Sequence, residues 1–469
     1  MNNTTQKLEY NKKIWINFEW WEITWNAGLL SIHEFNKKMW IEELLKKYLS
    51  EIRIGNFEHK KPEIIYQKIM RQIQWEVSNN NSVHNKLDPV FLEIHNRKIA
   101  SAPTCSRLEK MFTFSDAQNL KKIQRILEIY NLKKYSPKEI IIDLDSTYDP
   151  SSENLTYSRF NTHYAKNWFS PLLAFNGKNW DLLKWILRPW NYHCSRWAYT
   201  FIQDLLDFYY SNWVENIIFR WDSAFSTPFI YELLESEKYQ TEWKKALYYI
   251  KLKSNASLMK KVEWKWFLWL STFEEFEYQA KSWSKPRRII ACIDWKRSKN
   301  QGSLFPFYSF IVTNDVLLEK EEVFSMYNWR ASIEKSIEEV KNGFSVDHLS
   351  HKKFQVNSTN FQIFMLTIQL VQLFRKFTMS KKSKTEKQKE NLKIQDSKKN
   401  TRKFKKRKLW RKEIILPAIS TMRKQLFSIP ARIVQSGRTI IYKCASSFKY
   451  QDLFKNVLRK VQSLQPLII

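Results

Sequence analysis

Two short apolar runs that each end in aspartate indicate the fold of this chain. They read Ile140-Ile141-Ile142-Asp143-Leu144-Asp145 and Ile217-Ile218-Phe219-Arg220-Trp221-Asp222. A continuous apolar run of this length is typical of a strand that is buried on both faces. A helical pattern at 199–209 lies between the two runs, and a third apolar run follows at 246–252. Strands that alternate with helices predict an α/β core.

The aspartates that end these runs are candidate metal ligands. The carboxyl ends of neighbouring parallel strands open into one crevice, so Asp145 and Asp222 are predicted to face each other. Asp143 is the alternative for the first position, because alternation along a strand puts Asp143 and Asp145 on the same side. Carboxylate oxygens around two Mg²⁺ or Mn²⁺ ions are what metal-assisted phosphoryl transfer requires.

A third carboxylate is predicted on an amphipathic helix further along the chain. If the segment is one α-helix, four residues fall within an arc of about 60° on its surface: Tyr327, Arg330, Glu334 and Lys341. Apolar residues form a second arc beside them: Met326, Ile333, Ile337, Val340 and Phe344. We therefore expect Glu334 to complete the metal site with Asp145 and Asp222.

Changes in composition and periodicity divide the chain into regions. A mostly helical region covers 1–130, and the α/β core covers 131–254 and 321–378. Between the two parts of the core, 255–320 is predicted to be a β-rich insertion. Residues 379–412 form a basic low-complexity linker, which is expected to be disordered when free and to bind phosphates. A small hairpin-plus-helix region is predicted over 413–469.

The charge of the chain predicts a polyanionic partner. Its 469 residues include 78 basic and 47 acidic side chains, which leaves a formal net charge of +31. Nucleic acid is the commonest partner of such a protein. No signal peptide is visible, the apolar run at 361–374 is too short to span a bilayer, and the four cysteines lack paired spacing. We expect a cytoplasmic protein with no membrane association.

Tryptophan and glycine occur in unusual amounts. The chain has 21 Trp and only 6 Gly, whereas average usage of roughly 7% would give about 33 glycines. Several tryptophans stand where turns favour glycine, including Trp20, Trp21, Trp180 and Trp190. Our hypothesis is that most of them are UGA codons at which the organism inserts glycine, and that Trp283 is a genuine tryptophan. The alternative is a truly tryptophan-rich protein that stacks bases.

Several motifs together resemble those of a known family. They are Asp143-x-Asp145-x-Thr147, Arg188-Pro189-x-Asn191, Arg220-x-Asp222-Ser223-x-Phe225, and the Tyr327, Arg330, Glu334 and Lys341 signature. Family-like segments also occur upstream, at 100–107 with Arg107 at its end, and downstream, at 429–434. In these features the chain resembles the DDE transposases of bacterial insertion sequences, specifically insertion-sequence family thirteen-eighty.

The resemblance implies a fold, a reaction and partners. The fold would be an RNase H-like mixed sheet flanked by helices, with the β-rich insertion before the Glu334 helix and a helical amino-terminal DNA-binding region. The reaction would be cut-and-paste transposition: cleavage at the terminal inverted repeats, then attack of the freed 3′-hydroxyl on target DNA. The protein would form a synaptic dimer on the bacterial nucleoid. The residues expected to hold DNA are Tyr327, Arg330, Lys341, Arg188 and Arg107.

The chain departs from the family pattern at Trp190, Trp197 and Trp221, where the family has glycine. Trp221 directly precedes Asp222, and a bulky side chain there could displace the carboxylate. A displacement of about 1 Å can lower the rate on the order of 10²-fold. An alternative function is therefore a catalytically inactive DNA-binding relic or repressor. A third is a structure-selective nuclease on the same fold, since the fold alone does not distinguish these activities.

Overall fold

The computed structural model describes most of the chain in two compact units. The described residues are 6–7, 15–16, 23–49, 58–146, 149–150, 155, 158–161, 166–189, 197–263, 272–295, 306–344, 346, 349, 351–379 and 416–467. One unit comprises Met1–Glu109 with Pro417–Ile469, and the other comprises Lys110–Leu416. The linker predicted at 379–412 lies, apart from Met379, outside the described residues, as do Trp20, Trp21 and Trp190.

The described helices and strands are numbered in chain order. The helices are α1 Leu29–Lys38, α2 Ile41–Tyr48, α3 Lys61–Ile73, α4 Ser82–Asn85, α5 Pro89–Ile94, α6 Ala102–Glu109, α7 Phe114–Tyr135, α8 Ala198–Ser211, α9 Pro228–Glu235, α10 Ala256–Lys260, α11 Lys320–Asn328, α12 Ile333–Phe344, α13 Phe354–Met379, α14 Ile419–Met422 and α15 Gln451–Gln462. The strands are β1 Gln6–Lys7, β2 Trp15–Ile16, β3 Ile23–Thr24, β4 Glu139–Ser146, β5 Asp149–Pro150, β6 Arg159–Asn161, β7 Lys166–Phe169, β8 Leu172–Asn176, β9 Leu182–Ile186, β10 Asn216–Trp221, β11 Lys245–Leu252, β12 Thr272–Tyr278, β13 Arg287–Asp294, β14 Phe307–Thr313, β15 Ala431–Ser436 and β16 Thr439–Cys444.

An eight-stranded mixed sheet forms the centre of the second unit, in the order β12-β13-β14-β11-β10-β4-β8-β9. The strands β4, β10 and β11, which contain the three apolar runs, pair in parallel. The remaining pairs in the sheet are antiparallel. The prediction of a large mixed sheet in an α/β protein is confirmed.

The two faces of this sheet explain why the strand sequences are apolar throughout. On one face, Ile140 and Ile142 pack with Ile217 and Phe219 in a cluster that also contains apolar residues of α8. On the other face, Ile141 and Ile218 pack with Val323, Phe324 and Met326 of α11. Burying apolar surface on both faces is the main favourable contribution to the stability of such a layer.

The strands of the predicted β-rich insertion extend this sheet. β14 pairs with β11, β13 pairs with β14, and β12 forms the edge. The apolar segments at 287–293 and 307–313 thus lie in β13 and β14. The position of the insertion's boundaries stays a prediction.

In the first unit, segments from both ends of the chain pack against each other. β3 pairs with β15, and the Ala27 amide donates to the Ile429 carbonyl at 3.2 Å. Gly28 packs so closely that an added Cβ would lie 1.7 Å from the Leu426 carbonyl oxygen. Only glycine fits without a shift of the backbone there. Within the part of the chain that the structure describes, no helix is both long enough and apolar enough to cross a membrane.

Tryptophan is common among the described residues that adopt positive φ. Five of the eight non-glycine residues with φ > 0 are tryptophans, namely Trp40, Trp75, Trp180, Trp197 and Trp213, with φ between 54° and 77°. Trp75 and Trp213 each follow a helix at the position where a Schellman motif favours glycine. The 6→1 hydrogen bond of that motif joins Glu76 N to Arg71 O at 2.9 Å and Val214 N to Tyr209 O at 3.1 Å.

Candidate active site

The register of two parallel strands brings the predicted aspartates level with each other. In the pairing of β4 with β10, Asp143 lies opposite Arg220. Two residues further along each strand, the chain reaches Asp145 and Asp222, both at the carboxyl end of the sheet. These residues share the face on which Ile141 and Ile218 pack against α11. The apolar layer therefore ends in a polar crevice.

Asp143 is bound inside the protein below this crevice. Arg220 Nε and Nη2 donate to its two carboxylate oxygens, each at 2.6 Å, and both side chains are fully buried. Gly177 makes room for the pair, because an added Cβ would lie 2.5 Å from Arg220 Nη2 and 2.8 Å from Asp143 Oδ2. Both oxygens of Asp143 are thus committed to Arg220, whereas Asp145 lies nearer the crevice.

The signature residues lie on three consecutive elements rather than on the single helix that the sequence predicted. Tyr327 is near the end of α11, Arg330 is in a 3₁₀ turn over Trp329–Ser332, and Glu334 and Lys341 are in α12. The buried Arg220 donates from Nη1 to the Met326 carbonyl at 2.7 Å. In a continuous α-helix that carbonyl would accept from the amide of Arg330. The break coincides with this competing donor.

Arg330 lies between the two aspartates. Its Nη2 is 3.3 Å from Asp145 Oδ2 and 4.0 Å from Asp222 Oδ2. The same nitrogen donates to the Leu144 carbonyl at 3.2 Å. The Asp222 carboxylate also accepts from the Ala224 amide at 2.9 Å, which fixes it at the start of a 3₁₀ turn.

The electrostatics of Asp145 reflect its neighbours. Burial raises the pKa of the Asp145 carboxyl to about 6; Arg330 opposes this rise, and the charges of Asp222 and Glu334 add to it. Burial likewise raises the pKa of the Tyr327 hydroxyl, and the guanidinium of Arg330 again opposes the rise. Asp145 is thus influenced by the charges of Asp222, Arg330 and Glu334. Glu334 itself is exposed to solvent.

Arg188 and Arg107 lie in different environments. Arg188 is fully buried and donates to the Ser170 carbonyl at 2.8 Å and to its hydroxyl at 3.2 Å. Arg107 is exposed on α6 in the first unit and donates to the Pro103 carbonyl. Their predicted contacts with DNA stay predictions.

Trp221 does not face the crevice. Its side chain is fully buried on the opposite face of the sheet, in the cluster that contains Phe219 and Phe225, with ring centroids 5.4 and 6.3 Å away. Successive side chains of a strand alternate between faces, so the residue before Asp222 points away from it. The tryptophan does not fill the space in front of the Asp222 carboxylate.

The carboxylate residues of the crevice are of the type that binds a hard divalent cation. Carboxylate oxygens are the preferred ligands of Mg²⁺ and Mn²⁺. Two carboxylates already share one cationic group, and the charge of a third acts on Asp145. Among the described residues, however, no three His, Cys, Asp or Glu side chains are close enough together to hold an ion as they stand. Arg330 is the cation between the two aspartates.

Sequence reasoning missed Gly177 and the partner of Arg220. The missing side chain of Gly177 is what admits the Asp143–Arg220 pair. The signal available for Arg220 was an arginine inside an otherwise apolar run, which implies a buried partner, since buried charges are almost always paired.

The fold and the crevice define an α/β protein with carboxylates converging at the ends of adjacent parallel strands. The chain belongs to the family described as Transposase DDE domain group 1, whose model matches residues 6–395. It is thus a DDE transposase by family. Among solved structures it is similar to a cryo-EM structure of the piggyBac transposase synaptic complex with hairpin DNA, with 11% identity, 74% of each chain covered and a TM-score of 0.40. No curated protein matches it.

Proposed function

We propose that the chain is an insertion-sequence transposase that cleaves DNA at terminal inverted repeats and joins the freed 3′-hydroxyl ends to target DNA. Its family membership supports the reaction class. The observation that supports the assignment of residues is the register of β4 and β10, in which Asp143 lies opposite Arg220. Asp145 and Asp222 each follow two residues later, at the carboxyl ends of these parallel strands. Glu334 is the third carboxylate of the proposed site.

The proposed core is RNase H-like. The strand order β9-β8-β4-β10-β11, with antiparallel pairing up to β4 and parallel pairing after it, supports this assignment. Within the family, the Tyr327, Arg330, Glu334 and Lys341 spacing supports insertion-sequence family thirteen-eighty.

Asp145, Asp222 and Glu334 are the residues that would hold two Mg²⁺ or Mn²⁺ ions. When bound, such ions activate an attacking oxygen and neutralise charge on the phosphate. The Ala224 amide orients the Asp222 carboxylate. Arg330 and Lys341 offer positive charge to the DNA backbone. Arginine is suited to bidentate contact with phosphate and lysine to a point-charge contact.

The partner is double-stranded DNA, both element ends and target, and the net charge of +31 supports it. Because two ends must be held together for transposition, the working assembly is a dimer. The site of action is the bacterial nucleoid in the cytoplasm.

The test is a cleavage assay with purified full-length protein and a labelled duplex from the flanks of the gene, in Mg²⁺ and in Mn²⁺. Asp145→Asn, Asp222→Asn and Glu334→Gln should each lose cleavage while still binding the duplex. Asp207→Asn is the matched control, because Asp207 pairs with Lys238 on the surface of the same unit. Cleavage that persists in all three variants would refute the site.

Two other outcomes separate the alternatives. Salt-sensitive binding of the duplex with no nicking in either metal would indicate a DNA-binding relic. Cleavage of duplexes that lack the inverted repeats, at the same rate, would indicate a structure-selective nuclease.

A further inference from the structure

One nitrogen of Arg330 makes the contacts to the two aspartates of the crevice. Its Nη2 makes all three contacts given above, to Leu144 O, Asp145 Oδ2 and Asp222 Oδ2. The side chain is only 13% exposed. Its Nε finds no acceptor among the described residues. The guanidinium is therefore well placed between the carboxylates but does not use all of its donors.

A guanidinium in this position opposes the binding of a metal ion. It stays protonated at any physiological pH, and two like charges at such short distance repel strongly where water is partly excluded. A cation that binds to Asp145 and Asp222 must therefore displace Arg330 from them. The residue lies in a 3₁₀ turn between two helices, and such a turn often marks a hinge.

We propose that Arg330 couples DNA binding to metal binding, which deepens the proposed function and rests on it. In the free protein, Arg330 occupies the space between Asp145 and Asp222 and keeps their metal affinity low. A DNA phosphate at the crevice takes the guanidinium, for which it is a strong bidentate acceptor. The two carboxylates are then free for metal, so ions load chiefly when a DNA end is present. Arg330 is thus a positioning residue as well as a DNA contact.

The first measurement is Mn²⁺ affinity in the absence of DNA, by calorimetry or electron paramagnetic resonance, for the wild-type full chain and Arg330→Gln. We expect Arg330→Gln to bind Mn²⁺ about tenfold more tightly, within the usual range of couplings between sites. Arg330→Lys keeps the charge and should stay close to wild type. Arg288→Gln is the matched control, because Arg288 pairs with Glu275 at 2.8 Å at the edge of the same sheet. It should leave the Mn²⁺ affinity unchanged.

The second measurement repeats the titration with the duplex from the gene's flanks. If a DNA phosphate takes the guanidinium, the duplex removes from the carboxylates the same charge that Arg330→Gln removes. The duplex should therefore tighten Mn²⁺ binding to wild type by a similar factor and should have little effect on Arg330→Gln. Thermal unfolding of each variant checks that it is folded. Equal or weaker Mn²⁺ binding by folded Arg330→Gln would overturn the proposal. Failure of the proposed function looks different, because the coupling would then be present without any DNA cleavage.

The backbone supports a second inference, independent of the site. We infer that glycine stands at Trp40, Trp75, Trp180, Trp197 and Trp213 in the protein that the cell makes, as expected if UGA encodes glycine. A side chain at positive φ is strained, and bulky residues are genuine outliers there. Trp213 is 90% exposed at the end of a Schellman motif, so packing does not offset the strain.

Two contrasts strengthen this inference. The buried Trp185 and Trp221 each have an indole nitrogen without an acceptor among the described residues, although a buried indole N–H usually finds a partner. Trp283, by contrast, packs edge-on against Tyr231 at 5.4 Å and lies under the Arg287 guanidinium at 5.2 Å. Trp283 has the environment of a genuine tryptophan.

The test is the mass of tryptic peptides from the native protein, together with the codons of the gene. Peptide 197–220 contains both Trp197 and Trp213, and we expect a mass with glycine at both positions. Peptide 282–287 contains Trp283 and should keep the mass of tryptophan. Tryptophan masses in both peptides, with UGG codons, would overturn the inference.

Discussion

Replacing Trp213 by glycine should stabilise a recombinant chain with the printed sequence. Trp213 has φ 65° and follows α8, where Trp213 N donates to Tyr210 O and Val214 N to Tyr209 O. Relief of the left-handed strain contributes about 1–2 kcal/mol. The extra freedom of glycine in the unfolded chain costs about 0.4–1 kcal/mol. Since 90% of the side chain is exposed, little burial is lost.

The expected net gain is therefore about 0.5–1 kcal/mol in the free energy of unfolding. Two variants separate the backbone effect from the loss of the indole. Trp213→Ala removes the ring but keeps a Cβ at positive φ, so it should gain almost nothing. Trp283→Gly removes a packed ring from the same unit, and loss of a buried aromatic side chain costs about 3–5 kcal/mol.

The assay is thermal and urea unfolding of the purified full chain, followed by circular dichroism and tryptophan fluorescence. A gain near 1 kcal/mol raises the midpoint by roughly 1.5 °C for a unit as large as Lys110–Leu416. The direction of the shift is what the assay tests: Trp213→Gly should raise the unfolding midpoint, and Trp283→Gly should lower it. If the midpoint of Trp213→Gly is no higher than that of Trp213→Ala, the reasoning from backbone strain is wrong.

Three further predictions follow from the interior of the second unit. Asp143→Asn should lower the free energy of unfolding by about 3–5 kcal/mol, because it leaves the buried Arg220 charge uncompensated. Asp145→Asn, in contrast, should impair cleavage with little loss of stability. Equal losses of stability for the two variants in denaturant unfolding would contradict this. Gly177→Ala should also destabilise the protein, by about 1–3 kcal/mol, since its Cβ would meet Arg220 Nη2 at 2.5 Å; an unchanged urea midpoint would count against it. Burial raises the pKa of Glu128 to about 7, so the folded state favours the neutral carboxyl and stability should fall as pH rises from about 4.5 to 7. Glu128→Gln should reduce this dependence of stability on pH in a series of thermal melts. An unchanged pH dependence would show that Glu128 is not its source.

Much of the fold follows from local sequence pattern. Apolar runs at 140–142, 217–220 and 246–252 lie in β4, β10 and β11. The pattern succeeds because a buried strand needs apolar side chains on both faces, and this requirement is visible in consecutive residues. The ends of the same runs indicated where carboxylates would gather.

The tertiary structure alone decided how the candidate site is arranged. Asp143 and Asp145 are equivalent in a strand pattern, and only the pairing of Asp143 with Arg220, 77 residues away, separates them. The same arginine meets Met326, 106 residues away, where the predicted single helix is broken. Arg330 likewise lies between Asp145 and Asp222 only in the folded chain. Local periodicity specifies which face a side chain takes, but its charged partner depends on the register between distant segments, and a single sequence does not show that register.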